Sequence, residues 1–262
     1  MNPYYEEDYI KLYHGDCLKV MDWLIEQNIR INAIITDIPY GTTSCKWDSV
    51  IPFNSMWDRL NKISYDNSAV ILFGSQPFTT ELIHSNIKNF KYCWVWEKSL
   101  ATGGVIAKKR PMKKHEDIVV FCKNQGIYNP QMVDFTEDEI KRMRKHDTIN
   151  KNPEIINSKS HINKGWFDGR KKYPTSILKI NSLNYASNEK KYKHPTQKPE
   201  ELMEYLIKTY TNEGDLILDF TCGSGATLVA AKNLKRKCIG IDNEDKYCEI
   251  AKNRIQDVVV NT

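Results

Sequence analysis

No stretch of this chain stays apolar for long. The longest obvious run, AVILF at 69–73, falls far short of the ~20 residues that a membrane helix needs, so no membrane span is expected. The opening residues MNPYYEEDYIKLYHGD are acidic and aromatic, without the basic and apolar regions of a signal peptide. Seven cysteines are scattered without one Cys-x-x-Cys pair, which predicts reduced thiols in a cytoplasmic protein, with neither a disulfide framework nor a zinc site. His14 and His194 show no metal-ligand spacing, and no metal is expected. Internal repeats and low-complexity tracts are also lacking. What is present is globular: 40% of residues are hydrophobic and 27% charged. The 262 residues suffice for one large α/β domain or a domain carrying a sizeable insertion.

The formal net charge of +5 conceals a segregation. Residues 141–193 hold 14 Lys or Arg against 4 Asp or Glu, whereas the rest of the chain holds 24 against 29. A mildly acidic body with one basic segment suits a polyanion-binding surface, because phosphate contacts dominate non-specific affinity for nucleic acid. A solvated lysine-rich surface accounts for the charge equally well.

Apolar runs at 32–37, 69–74, 91–98, 117–123, 215–220 and 237–242 read as strands. Helical patterns at 17–28, 52–63, 199–210 and 226–236 lie between several of them, with Pro199 suited to the first helical position. This alternation predicts an α/β fold with a doubly wound, mostly parallel sheet. The pattern breaks between 124 and 193, where Asn, Lys, Ser and isolated aromatics dominate. That segment reads as an insertion, with 1–123 and 194–262 as the core. Within it, Thr136 and Glu139 form a capping box that predicts a helix over 136–146.

LILDFTCGSGATLVAAKNLKRKCIGIDNEDKY (216–247) reads as strand, glycine turn, helix, strand and terminal acid. Gly223 and Gly225 permit close backbone approach at a helix N-terminus, and Asp242 ends the second strand where a carboxylate can hold ribose hydroxyls. A dinucleotide fingerprint wants a small third residue where this chain has Leu228, and there is no Walker Gly-Lys-Ser/Thr. Asp219, just before the glycines, repels a pyrophosphate but tolerates a cationic sulfonium and amino group. The turn therefore favours S-adenosylmethionine over NAD, against the plainer reading of a tight turn with a surface aspartate.

ITDIPYG (35–41) ends a β-branched run in a carboxylate at the edge where open α/β sheets bind ligands. Asp37 can accept a hydrogen bond from an amino group there. Pro39 holds Ile38 extended, so that its carbonyl can face the same site, and Tyr40 offers a flat ring. Two acceptors and an aromatic face form a receptor for a planar aromatic amine such as an extruded nucleobase. They would also favour a tetrahedral amine whose lone pair can attack a sulfonium methyl directly.

The chain resembles the β group of DNA amino-methyltransferases, which methylate adenine N6 or cytosine N4. DIPY is similar to the family's Asp-Pro-Pro-Tyr motif. HPTQKP (194–199) is similar to its cofactor-carboxylate motif, LDFTCGSGAT to its cofactor loop, and HGDCL (14–18) to its adenine-contacting motif. The order, catalytic motif then variable insertion then cofactor motifs, is that of the group. The resemblance implies that Asp37, Ile38, Pro39 and Tyr40 bind and activate the base in duplex DNA. It also implies that Asp16, Cys17, Asp37, Thr196, Gln197, Lys198, Asp219, Phe220, Gly223, Ser224, Gly225 and Asp242 surround S-adenosylmethionine, and that the insertion recognises the target. Two departures stand out: Ile38 replaces a proline, and Thr221 stands where the family has phenylalanine, with Phe220 one place earlier. A leading Asp usually accompanies adenine in the family and a leading Ser cytosine, so adenine N6 is expected, with cytosine N4 as the alternative. A catalytically silent DNA-binding protein of the same fold is the third reading. Cytosine C5 chemistry is a poor candidate, since none of the ten prolines precedes a cysteine. Phosphate contacts are expected from Lys108, Lys109, Arg110, Lys113 and Lys114, and from Arg170, Lys171 and Lys172. Trp94 and Trp96 alternate along one strand and are expected in the core. A restriction endonuclease partner or an orphan enzyme without one, and a homodimer, are all compatible with the resemblance.

Overall fold

The computed structural model describes residues 1–41, 49–141, 167–168, 171–182 and 197–259. They form two compact units, one of residues 1–129 with 176–262 and the other of residues 130–175.

The larger unit is built on a nine-stranded sheet. Its strands are β1 (Tyr5–Glu7), β2 (Ile10–His14), β3 (Ile31–Thr36), β4 (Ser64–Gly74), β5 (Phe90–Thr102), β6 (Lys113–Phe121), β10 (Ile177–Lys179), β11 (Leu216–Asp219) and β12 (Lys237–Asp242), in the order β1-β2-β12-β11-β3-β4-β6-β5-β10. β2, β12, β11, β3 and β4 run parallel, and β6 is antiparallel to both its neighbours β4 and β5. The fold is thus α/β with a mostly parallel sheet, as the alternating pattern predicts. Successive residues of β3 and β4 serve opposite faces: Ile35, Ile71 and Phe73 join one core, Ile34, Val70 and Leu72 the other. Helices α1 (Cys17–Glu26), α2 (Phe53–Ile63) and α3 (Phe78–Ser85) pack Met21, Leu60 and Phe78 into the second core. Helices α4 (Glu200–Tyr210), α5 (Ala226–Asn233) and α6 (Asp245–Gln256) pack Leu206, Leu228 and Ala251 into the first. Burial on both faces is why these strands read as unbroken apolar runs.

The chain leaves β3 towards β4 on one side and β11 towards β12 on the other, so the sheet switches direction between β3 and β11. Ligands bind beyond the strand C-termini at such a point. Because β6 runs the other way, its first residues, not its last, lie at this edge.

Two details differ from expectation. β10 falls inside the expected 124–193 insertion yet pairs in parallel with β5, Leu178 being buried; three residues are too few for periodicity to reveal. Pro199 caps α4 with extended backbone (ψ 138°) and precedes the first helical residue. Trp94 and Trp96 are buried as expected, and their indole N–H groups are also satisfied, by the Tyr210 hydroxyl at 2.6 Å and the Ile180 carbonyl at 2.8 Å.

In the smaller unit β7 (Val133–Asp134), β9 (Lys171–Lys172) and β8 (Phe167–Asp168) form a three-stranded antiparallel sheet. Residues 137–141 are helical behind the expected capping box: Glu139 N–H donates to the Thr136 hydroxyl (3.3 Å), and Thr136 N–H donates to the Glu139 carboxylate (2.9 Å). The rest of the expected 136–146 helix, and Arg170, Thr196 and His194, lie outside the described residues.

Candidate active site

A cavity of ≈ 390 Å³ opens at the C-terminal ends of β2, β3, β4, β11 and β12. Asp16, Cys17, Asp37, Ile38, Pro39, Tyr40, Gln197, Lys198, Asp219, Phe220, Gly223, Ser224 and Asp242 all line it. The structure therefore brings together motifs that lie far apart in the sequence, from Asp16 to Asp242.

Beside the glycine turn, four carboxylates border the cavity: Asp16, Asp219, Asp242 and Glu244. Asp242 accepts the Gly223 N–H on one oxygen and the Glu244 N–H on the other, both at 2.9 Å, so backbone bonds fix its direction. Asp16 caps α1 through the N–H groups of Leu18 (2.9 Å) and Lys19 (3.1 Å), which ties this wall to a helix start. Burial pushes the Asp219 carboxyl up to about 6, and it raises Asp242 as well. A pyrophosphate is poorly matched to four carboxylates, whereas ribose hydroxyls and an ammonium group find acceptors. The lining fits S-adenosylmethionine on those grounds.

Gly225 does not border the cavity. Its backbone is left-handed (φ 78°), and a Cβ there would fall 2.8 Å from the Ala251 Cβ of α6. Close helix packing requires this glycine, whereas Gly223 faces the cavity. Phe220 lines the cavity from within the core and is fully buried. Thr221 takes a different part: its hydroxyl lies 3.1 Å from the Asp37 carbonyl and 2.6 Å from the Thr36 hydroxyl, which donates to Asp219 at 2.7 Å. The departure from phenylalanine thus links the glycine turn to the end of β3.

Across the cavity, Asp37 accepts the Tyr40 hydroxyl at 2.7 Å and pairs with the Lys198 ammonium. The Tyr40 ring packs against Phe78, with centroids 4.9 Å apart. Sequence reasoning missed the continuation of this network. Lys198 Nζ also lies 3.4 Å from Glu116, whose other oxygen pairs with Lys98. Lys113 turns inward and donates to Ser75. Ser75, Lys113 and Glu116 all line the cavity. Burial alone would lower Lys198, yet Asp37 and Glu116 outweigh it and raise its pKa. Burial alone would likewise raise Glu116, but Lys198 and Lys98 hold it below the usual carboxylate range. For Asp37 burial prevails and its pKa is raised, Lys198 opposing and Glu116 adding to the rise. Arg254, also missed, is buried on α6, donating to the Ser224 carbonyl (2.5 Å) and hydroxyl (3.0 Å) and pairing with Glu200. It fastens the glycine turn to the start of α4.

The expected phosphate contacts divide. Lys108, Lys109 and Arg110 are exposed. Lys114 is held by Glu97 at 3.1 Å, and Lys113 is drawn into the cavity. Lys171 is exposed, while Lys172 is tied to Glu139 at 2.5 Å. Among the described residues no group of three or more His, Cys, Asp or Glu could hold a metal ion, and no helix is long and apolar enough to cross a membrane.

The N6/N4 DNA methylase family model matches residues 31–253. The type II methyltransferase M.HpaI of Haemophilus parainfluenzae is 27% identical over 244 residues, covering 88% of this chain and 69% of its own length. The crystal structure of the M1.HpyAVI–SAM complex superposes with a TM-score of 0.63 at 26% identity, covering 94% of this chain and 99% of that one. The PvuII cytosine-N4-specific DNA methyltransferase, at 16% identity and a TM-score of 0.66 over 99% of this chain and 91% of its own, shares the fold. With its motifs assembled around one cavity at the sheet's switch point, this chain belongs to the N6/N4 DNA methylase family, whose cofactor is S-adenosylmethionine.

Proposed function

We propose that this DNA methylase acts on adenine N6 in duplex DNA, at a specific site and by base flipping. The observation that carries the reading is the placement of Asp37: its carboxylate faces the same cavity as the glycine turn, and Thr221 links the two through the Asp37 carbonyl. When bound, S-adenosylmethionine supplies a methyl group made electrophilic by its sulfonium. Asp219 and Asp242 would receive its ammonium and ribose hydroxyls, with Gln197 and Ser224, themselves bonded at 3.0 Å, beside the turn. Asp37 and the Ile38 carbonyl would accept the two N–H bonds of the target amine. That arrangement favours a tetrahedral nitrogen with its lone pair free of the ring, and the contribution of the site is positioning and electrostatics. Asp37, as the acceptor of the amine, would also be placed to take the proton that the nitrogen sheds. Tyr40, backed by Phe78, offers the ring on which the extruded base would stack.

The leading Asp favours adenine. Cytosine N4 is the second reading, since its amine poses the same problem and the PvuII neighbour is named as cytosine-N4-specific. Residues 124–193 would recognise the target sequence, and Lys108, Lys109 and Arg110 would contact phosphates. A type II context, suggested by the name of the M.HpaI relative, would supply a restriction endonuclease as partner. The test is incubation with mixed-sequence duplex DNA and labelled S-adenosylmethionine, followed by nucleoside mass analysis. N6-methyl-2′-deoxyadenosine is expected. N4-methyl-2′-deoxycytidine would transfer the assignment to the second reading, and no product would leave a silent DNA-binding protein.

A further inference from the structure

The carboxylate that should receive the target amine is already engaged. Lys198 sits on one oxygen of Asp37 and the Tyr40 hydroxyl on the other. A neutral amine competes poorly with an ammonium for a buried carboxylate. An ammonium forced off it without a new partner would be left buried and unpaired, which is strongly unfavourable. The Lys198 side chain is only 6% exposed, so water gives it little refuge.

Glu116 offers the missing partner. Its Oε2 is buried and makes no hydrogen bond, and it lies 3.4 Å from Lys198 Nζ, within ion-pair range but short of a bond. Its Oε1 is held by Lys98, which fixes the carboxylate's direction. Lys98 and Lys198 keep it ionised, so a full negative charge waits beside the ammonium. A shift of the ammonium by roughly 0.6 Å would complete a charge-assisted bond to Glu116.

We propose that Lys198 is a two-position latch, resting on Asp37 in the free protein and received by Glu116 when the target amine takes Asp37. The proposal rests on the reading of Asp37 as the amine acceptor. Glu116 is then a positioning residue, acting on the reaction through Lys198. The latch keeps the catalytic carboxylate neutralised until a base arrives, and Glu116 lowers the cost of opening it.

The decisive variant is Glu116→Gln, which keeps the shape and an acceptor for Lys98 but removes the charge. We expect kcat on duplex DNA to fall about tenfold, with KM for S-adenosylmethionine within about twofold of wild type. In a Lys198→Met background no latch exists, so adding Glu116→Gln should change kcat by less than about twofold. Glu116→Asp retains the charge but withdraws the receiving oxygen by one methylene. It should slow turnover as well, and it serves if the Gln variant does not fold. Wild-type kcat in the folded variant would overturn the latch, as would multiplicative losses in the double variant. A raised KM for S-adenosylmethionine with unchanged kcat would also overturn it, showing that the cofactor's carboxylate draws Lys198 away instead. Asp37→Ala separates the two levels. If it is inactive while Glu116→Gln behaves as wild type, only the latch fails; if it is active, the reading of Asp37 itself fails.

Discussion

The two walls of the cavity hold their charges in different ways. On the cofactor wall Asp242 is bonded to the backbone N–H groups of Gly223 and Glu244, and Asp219 to the Thr221 N–H and the Thr36 hydroxyl. On the catalytic wall Asp37, Lys198, Glu116 and Lys98 are held by one another, the first pair from 161 residues apart in sequence. Backbone bonds fix a carboxylate for good, which suits a ligand bound the same way in every cycle. Ion pairs between side chains can exchange partners, which suits a site that must admit and release a base. On the proposed reading the difference separates binding from chemistry, and variants on the two walls should fail differently.

The largest effect belongs to the catalytic wall. Asp37→Ala should reduce kcat by on the order of 10²-fold or more while the protein stays folded, since Asp37 lies at a strand end and its loss opens no core cavity. Near-normal turnover in a folded Asp37→Ala protein would remove the proposed mechanism. Next comes the opposite wall. Asp242→Ala should raise KM for S-adenosylmethionine by roughly 10- to 100-fold with kcat nearly constant, because ribose hydroxyls are held alike in ground and transition states. A collapse of kcat at unchanged KM would erase the contrast between the walls.

Asp219 sharpens the comparison through pH. Its carboxyl is raised from 3.8 to about 6 by burial, so between those values the folded protein binds more protons than the unfolded chain. Stability contributed by this group is therefore full below about pH 4 and declines as pH rises to about 6. Above that, the ionised buried carboxylate costs up to about 3 kcal/mol. Asp219→Asn should accordingly raise unfolding stability by about 1–3 kcal/mol at pH 8, with the gain vanishing towards pH 4. Denaturant titrations at the two pH values would show it. Equal effects at both would mean that Asp219 is not a strained carboxylate.

Much of this was legible in the sequence, for physical reasons. β3, β11 and β12 are buried on both faces, so they appear as unbroken apolar runs ending in Asp37, Asp219 and Asp242. Part of the cofactor wall is held by local bonds, Asp16 to the N–H of Leu18 and Asp219 to the N–H of Thr221, so short motifs record it. Glu116 was hidden because a sheet reversal makes it a site residue. The cationic run from Lys108 to Lys114 conceals that β6 starts at Lys113 and delivers Glu116 to the ligand edge. Lys98 reaches Glu116 from the neighbouring strand β5, which only the pairing order discloses. Arg254 escaped notice because α6 is polar, its buried Cys248, Ala251 and Ile255 forming a narrow stripe.

The smallest effect expected is in DNA affinity, and here two cationic segments differ. Lys172 is committed to Glu139 and lies over the Phe135 ring, so its charge is largely spoken for. Lys108, Lys109 and Arg110 are exposed, and among the described residues no ion pair holds their cations. They follow a left-handed turn at Gly103 (φ 91°) and a short 3₁₀ segment, Gly104–Ile106. If they contact phosphates, neutralising all three should weaken binding to DNA of any sequence. The slope of log affinity against log salt should then flatten by roughly 0.9 for each phosphate that no longer meets a cation. Neutralising Lys172 alone should flatten it by less than one such step, since its ion pair with Glu139 already offsets the charge. Binding of S-adenosylmethionine should be unchanged in both variants, because none of these cations is among the residues that line the cavity. An unchanged slope in the triple variant would return 108–110 to an ordinary solvated surface and leave Lys171, in the smaller unit, as the next exposed cation to test.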